Sequence, residues 1–137
     1  MKRSILAVGA GLAVWMVVAT LLNFVLRAGL AGYALAEPAL TFTLGMKVAR
    51  LILGALASLA AGAAAGLIAP SKTPRWVLGA IILALFIPVH IQLWAKFPVW
   101  YHLVFLGSLL PLVALGAALT RSRLRTGPTE FGHKIAV

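Results

Sequence analysis

The segment from Gly54 to Gly66, GALASLAAGAAAG, constrains the fold more than any other stretch of the chain. Eleven of its thirteen residues are Gly, Ala or Ser, and only Leu56 and Leu59 are large. It lies inside an uncharged run from Leu51 to Pro70, long enough to cross a bilayer as a helix. A helix this thin lets neighbouring backbones come close and gain dispersion contacts that lipid tails do not provide. The segment therefore predicts an all-α integral membrane four-helix bundle with this helix at its centre. Gly54, Ser58, Gly62 and Gly66 follow a small-xxx-small spacing and are the predicted helix-packing residues. With so few large side chains present, the composition of the stretch carries more information than the spacing.

The rest of the composition agrees. A mean hydropathy of +1.07 with 10% charged residues belongs to the membrane class. Twelve Lys and Arg against two acids give a net charge of +10. In a soluble protein that balance suggests nucleic acid. Here the basic residues flank apolar runs, where they meet lipid phosphates and set orientation, so the bilayer is the expected partner and nucleic acid is not. The chain contains no cysteine, which excludes disulfides, thiol redox chemistry and thiolate metal sites.

Four apolar segments are read as helices over about 4–27, 47–70, 74–95 and 98–120, in an antiparallel up-down order. The first begins with basic residues as a signal peptide does, but its apolar run is too long for a signal h-region, so it is expected to be retained. Glu37-Pro38 predicts the opening of a short interfacial helix over about 38–46, because proline is accepted at the first helical position and an acid there faces the positive end of the macrodipole. A helix continuous from Pro38 to Ala69 would be about 48 Å long, beyond a hydrocarbon core, so a bend near Gly45 is expected. Lys47 and Arg50 are expected to snorkel outward and to meet an anionic lipid headgroup. Pro88 and Pro111 are expected to kink the third and fourth helices. Residues 121–137 read as a basic, disordered tail.

Counting basic residues predicts the orientation. One face carries Lys2, Arg3, Lys72, Arg75, Arg121, Arg123, Arg125 and Lys134; the other carries Arg27, Lys47, Arg50 and Lys96. Eight against four predicts both termini in the cytoplasm.

The order of elements, with AEPALTFTL before a small-residue helix and PVHIQLWAKFPVWYHLVFLGSLLP across the last hairpin, resembles small four-span bacterial inner-membrane proteins of uncharacterised activity. The resemblance covers nearly the whole chain up to Thr120. It implies a multi-pass protein of the bacterial inner (plasma) membrane and no activity. The small multidrug transporters are similar in size and span count, but they place an acid within the first helix and this chain has none there.

Polar residues concentrate toward the predicted outer boundary. Asn23, Arg27, Glu37, Arg50, His90, Gln92 and His102 form the candidate polar site, with Glu37 as its carboxylate. Membrane helix ends are commonly polar and aromatic in any case, so a structural reading competes. His90 and His102 lie at nearly equal sequence distances from Phe97, which places them at matched depth on facing helices and permits an imidazole metal site or axial haem ligation. Helices joined by a tight turn lie only about 8 to 10 Å apart, which leaves little room for a haem. Glu37 is expected to pair with Arg27 or Arg50, at about 3 to 5 kcal/mol for breaking the pair if buried and much less if wet. No nucleophile, base and orienting acid occur in a recognisable motif. The expected protein is no enzyme and needs no cofactor or metal. It is an accessory or self-associating component of a membrane assembly, partnered by its own copies or a larger membrane protein. The alternative is a small transporter or channel with an outward-facing polar site, and a weaker one is histidine-based metal or haem binding.

Overall fold

A computed structural model describes residues 1–125 of the 137. These residues form five helices and no strand: α1 (Lys2–Gly29), α2 (Tyr33–Ala39), α3 (Leu44–Ile68), α4 (Thr73–Gln92) and α5 (Val99–Arg125). α1, α3, α4 and α5 are each long and apolar enough to cross a membrane. The Thr43 hydroxyl caps α3 by accepting the Met46 N–H at 3.3 Å. Pro74 starts α4, where its missing N–H costs nothing. Pro88 and Pro111 stand inside α4 and α5, and both helices continue through them.

The connection between α1 and α3 differs from the sequence expectation. Glu37-Pro38 does not open a helix. The short helix lies earlier than 38–46, at Tyr33–Ala39, entered from Gly32 at φ +77° and left through Leu40 at φ +56°. Pro38 occupies its last turn, where a helix this short gives up only one backbone hydrogen bond to it. The break at 40–43 lets α3 start afresh at Leu44, with Gly45 inside its first turn rather than at a bend. α4 ends at Gln92, before 95. α5 runs on to Arg125, so Arg121 and Arg123 are helical; the remainder of the expected tail, 126–137, lies outside the described residues.

α3 is the shared wall of the bundle, packing most extensively against α5 and α1, while α4 packs against α5 and α1 in turn. Along α1 and α3 the contacts run in opposite order, Gly11 beside Ala61 and Trp15 beside Ser58. Along α3 and α5 they ascend together, Gly54 beside Phe105, Gly62 beside Val113 and Gly66 beside Ala117. The ring order is therefore α1, α3, α5, α4, with the α3–α5 contact parallel. Helix direction alternates along the chain, yet the consecutive helices α3 and α4 face each other across a diagonal and touch only slightly. A simple up-down bundle would make them full neighbours. The physical reason is steric: a Cβ on Gly62 would collide with the Val113 carbonyl, and one on Gly116 with the Leu59 carbonyl. Backbones this close fit only where both helices lack side chains at the crossing.

The two ends of the bundle are built differently. Toward the N-terminus and the 69–72 connection the core is small and aliphatic, with Ala57, Ala61, Ala65, Leu78 and Val113 fully buried. Toward α2 it is aromatic, with Tyr33, Phe42, Phe97 and Tyr101 in one cluster.

Replacing Gly62 by Ala should therefore destabilise the bundle by about 1–3 kcal/mol, the usual cost of overpacking, measured by denaturation in detergent micelles. Gly9→Ala, at a helical position with nothing within 4 Å of the added methyl, should cause no loss of stability.

Candidate functional site

The last turns of α1 set Asn23 and Arg27 four residues apart on one face. α2 lies across that face and contributes Tyr33 and Glu37, and the second turn of α3 brings Arg50 to meet them. One chain of hydrogen bonds joins all five side chains. The Arg27 Nε donates to Glu37 Oε2 at 2.5 Å, and the Asn23 amide donates to Glu37 Oε1 at 3.0 Å. The Tyr33 hydroxyl donates to Asn23 Oδ1 at 2.9 Å and accepts from Arg50 Nη1 at 2.7 Å. The Arg50 guanidinium also lies over the Phe42 ring, 4.8 Å from its centroid, and its Nε is buried with no hydrogen-bond partner.

Asn23, Arg27, Glu37 and Arg50 rim a cleft of about 430 Å³ that runs into the bundle. Arg27, Glu37 and Arg50 are the charged residues on its wall, and its deeper lining is Trp15, Leu53, Phe86 and Phe105. Its base is fixed by the Trp15 indole N–H donating to Ser58 Oγ at 3.1 Å, with Ser58 in turn donating to the Gly54 carbonyl at 2.8 Å. Below that level the backbones of α3 and α5 are in contact.

Partial burial pushes the Glu37 carboxyl up, but hydrogen bonds from Asn23 and Arg27 and the charges of Arg27 and Arg50 outweigh it and hold it below the ordinary 4.5. The Arg27 side chain is 48% exposed, so its bridge to Glu37 is worth roughly 0.2–1 kcal/mol rather than the cost of a buried pair.

The histidines form a second, separate feature. His90 and His102 face each other on α4 and α5 with their Nδ1 atoms 2.7 Å apart, one donating and the other accepting. Both are buried; Phe105 stacks on His90 at 4.7 Å and Trp94 on His102 at 4.7 Å. Tyr101 and Phe105 stand between this pair and the cleft, lining the cleft on one side and stacking on His90 on the other. Rings in direct contact leave no room for a porphyrin between them, and no group of three or more His, Cys, Asp or Glu among the described residues is placed to hold a metal.

The polar site read from the sequence thus divides. Asn23, Arg27, Glu37 and Arg50 converge on the cleft, His90 and His102 pair behind its aromatic wall, and Gln92 is exposed at the end of α4, outside both. Lys47 is partly exposed and stands off the cleft, while Arg50, expected to snorkel outward to lipid, turns into the network because the Tyr33 hydroxyl and the Phe42 ring offer it partners. Gly54, Ser58, Gly62 and Gly66 are all buried on α3. Tyr33 is the member that sequence reasoning missed, and it is fully buried. Its one signal is being the lone tyrosine in the connection between α1 and α3, at the depth of Asn23 and Arg50. No protein family, curated protein or solved structure matches this chain.

Because the Glu37 pKa is depressed on folding, the stability it adds is present above pH 4.5 and is lost as pH falls through its lower folded value. Thermal unfolding in micelles should therefore show no loss from this group between neutral pH and about 4.5, then a decline in more acid buffer. Glu37→Gln should remove that share of the acid-side decline.

Proposed function

We propose that the chain is a four-span integral protein of a bacterial inner membrane, with both termini in the cytoplasm and α2 on the outer face. In this reading it has no catalysis of its own. It serves as an accessory component of a membrane assembly and presents a ligand-binding cleft to the outer side. The orientation is supported by the eight-to-four imbalance of basic residues between the two ends. The bacterial assignment is supported by the resemblance carried by AEPALTFTL and the last hairpin.

The observation that carries the functional reading is the blind cleft. Charged residues converge at its mouth, and its base is closed by the Trp15–Ser58 bond and by backbone contact between α3 and α5. A conducting pore needs a continuous polar path, and the small-residue half of the bundle offers none along this wall. Binding or docking at the outer mouth suits this geometry better than passage. Self-association through Gly54, Ser58, Gly62 and Gly66 is disfavoured, because these residues are already spent on α5 and α1 within the chain.

The chain lacks native cysteine, so single cysteines report sidedness cleanly. Leu35→Cys, in α2 and 85% exposed, should react with a membrane-impermeant maleimide added to intact cells or spheroplasts, and Ser71→Cys should react only after permeabilisation. Gentle detergent extraction followed by pull-down should recover a membrane partner in constant ratio. A chain that runs alone, with no partner, counts against the accessory role.

A further inference from the structure

Resting on the cleft as the binding site, we infer that its ligand is an anionic amphiphile, with an acidic head held by Arg50 and Arg27 and a hydrocarbon chain laid along the aromatic base. Three features on the wall point to this chemistry.

The first is charge. Two guanidiniums and one carboxylate line the cleft, which leaves one positive charge without a counterion on the wall. The second is the Arg50 guanidinium itself, a partly buried cation on the cleft wall whose Nη1 donates to the neutral Tyr33 hydroxyl, while the Glu37 carboxylate is bridged by Arg27. A partly desolvated cation with no carboxylate in direct contact favours an anionic head, whose phosphate or carboxylate oxygens meet it with charge-assisted bonds. Arg27 spends its Nε on Glu37 at the mouth, so the rim presents its guanidinium to the same head. The third is shape and gradient. From the arginines the lining passes to Leu53, Phe86, Phe105 and Trp15, so polarity falls with depth as it does along a lipid molecule. Thr20 and Phe24 line the same cleft and are both exposed on the outside of α1, which opens it sideways toward the surrounding chains. A volume of about 430 Å³ takes a head and part of one chain, the remainder leaving past Thr20 and Phe24. A small hydrophilic anion would leave the aromatic depth unfilled, and a lipid of no net charge would leave the excess positive charge of the wall unbalanced.

A membrane phospholipid and a free fatty acid both have this chemistry, and the test separates them. The full chain is purified in an uncharged detergent, stripped of lipid, and titrated with phosphatidylglycerol, phosphatidylcholine, palmitate and inorganic phosphate. Binding is read by tryptophan fluorescence and by native mass spectrometry. Saturable, mutually competitive binding of phosphatidylglycerol and palmitate supports the inference. Binding of only one of them also supports it and names the source. Arg50→Gln should weaken binding at least about tenfold, the loss of one charge-assisted bond. If that variant does not fold, Ala19→Phe, which fills the cleft without touching the polar network, should abolish binding. Equal binding of phosphatidylcholine, inorganic phosphate binding as tightly as the amphiphiles, no binding of either amphiphile, or unchanged affinity in a folded Arg50→Gln or Ala19→Phe protein would each overturn it. The titration uses the isolated chain in detergent, so its failure is distinct from failure of the sidedness labelling or the pull-down.

Discussion

Everything in this bundle depends on α3 and α5 touching through their backbones. At Gly62 and Gly116 each helix lacks the Cβ that would strike the other's carbonyl, and α3 accordingly takes α5 as its neighbour in place of α4, which follows it in the chain. In lipid there is little hydrophobic gain from bringing apolar helices together, so the closest fit decides which pairs form. The parallel α3–α5 pair is that fit, and α1 and α4 are placed by what remains of their surfaces.

The open half follows from the closed one. Past Gly54 the small residues give way to Arg50 on α3 and to Phe105 and Tyr101 on α5. These larger groups hold the helices apart at the end where α2 folds over. The space is filled incompletely by aromatic rings, and the charged side chains meet above them. The hydrogen-bonded series from Arg27 through Glu37, Asn23 and Tyr33 to Arg50 ties α1, α2 and α3 together with few polar atoms left over. The exception is the Arg50 Nε, which is buried without a partner. A single carboxylate serves two arginines, so the rim keeps a positive balance. Behind the aromatic wall, His90 and His102 pair with each other through their Nδ1 atoms, and the His102 Nε2 is buried without a partner.

Much of this was legible in the residues alone. The four apolar runs and the thin helix at 54–66 are properties of composition, which no tertiary contact rewrites. The equal spacing of His90 and His102 about Phe97 correctly implied matched depth, because two helices leaving one short turn rise together. What failed depended on partners distant in sequence. Pro38 suits a helix start, but the last turn of a seven-residue helix tolerates it as well, and only Tyr33 and Ala36 packing inside chose between them. Arg50 at a helix end reads as an outward lysine-like anchor until Tyr33, seventeen residues earlier, supplies an inward acceptor. The neighbour order of the helices was equally hidden, since alternating direction along the chain is compatible with more than one ring.

The most direct measurement is nuclear Overhauser spectroscopy of the full chain in micelles, with isotope labels on glycine, valine and leucine. Backbone contact between α3 and α5 predicts cross-peaks between the Gly62 Hα and Val113 Hα protons and between Gly116 Hα and the Leu59 spin system, with the Trp15 indole proton close to Ser58. Absence of the Gly62–Val113 contact, with Gly62 instead seeing residues of α4, would contradict it.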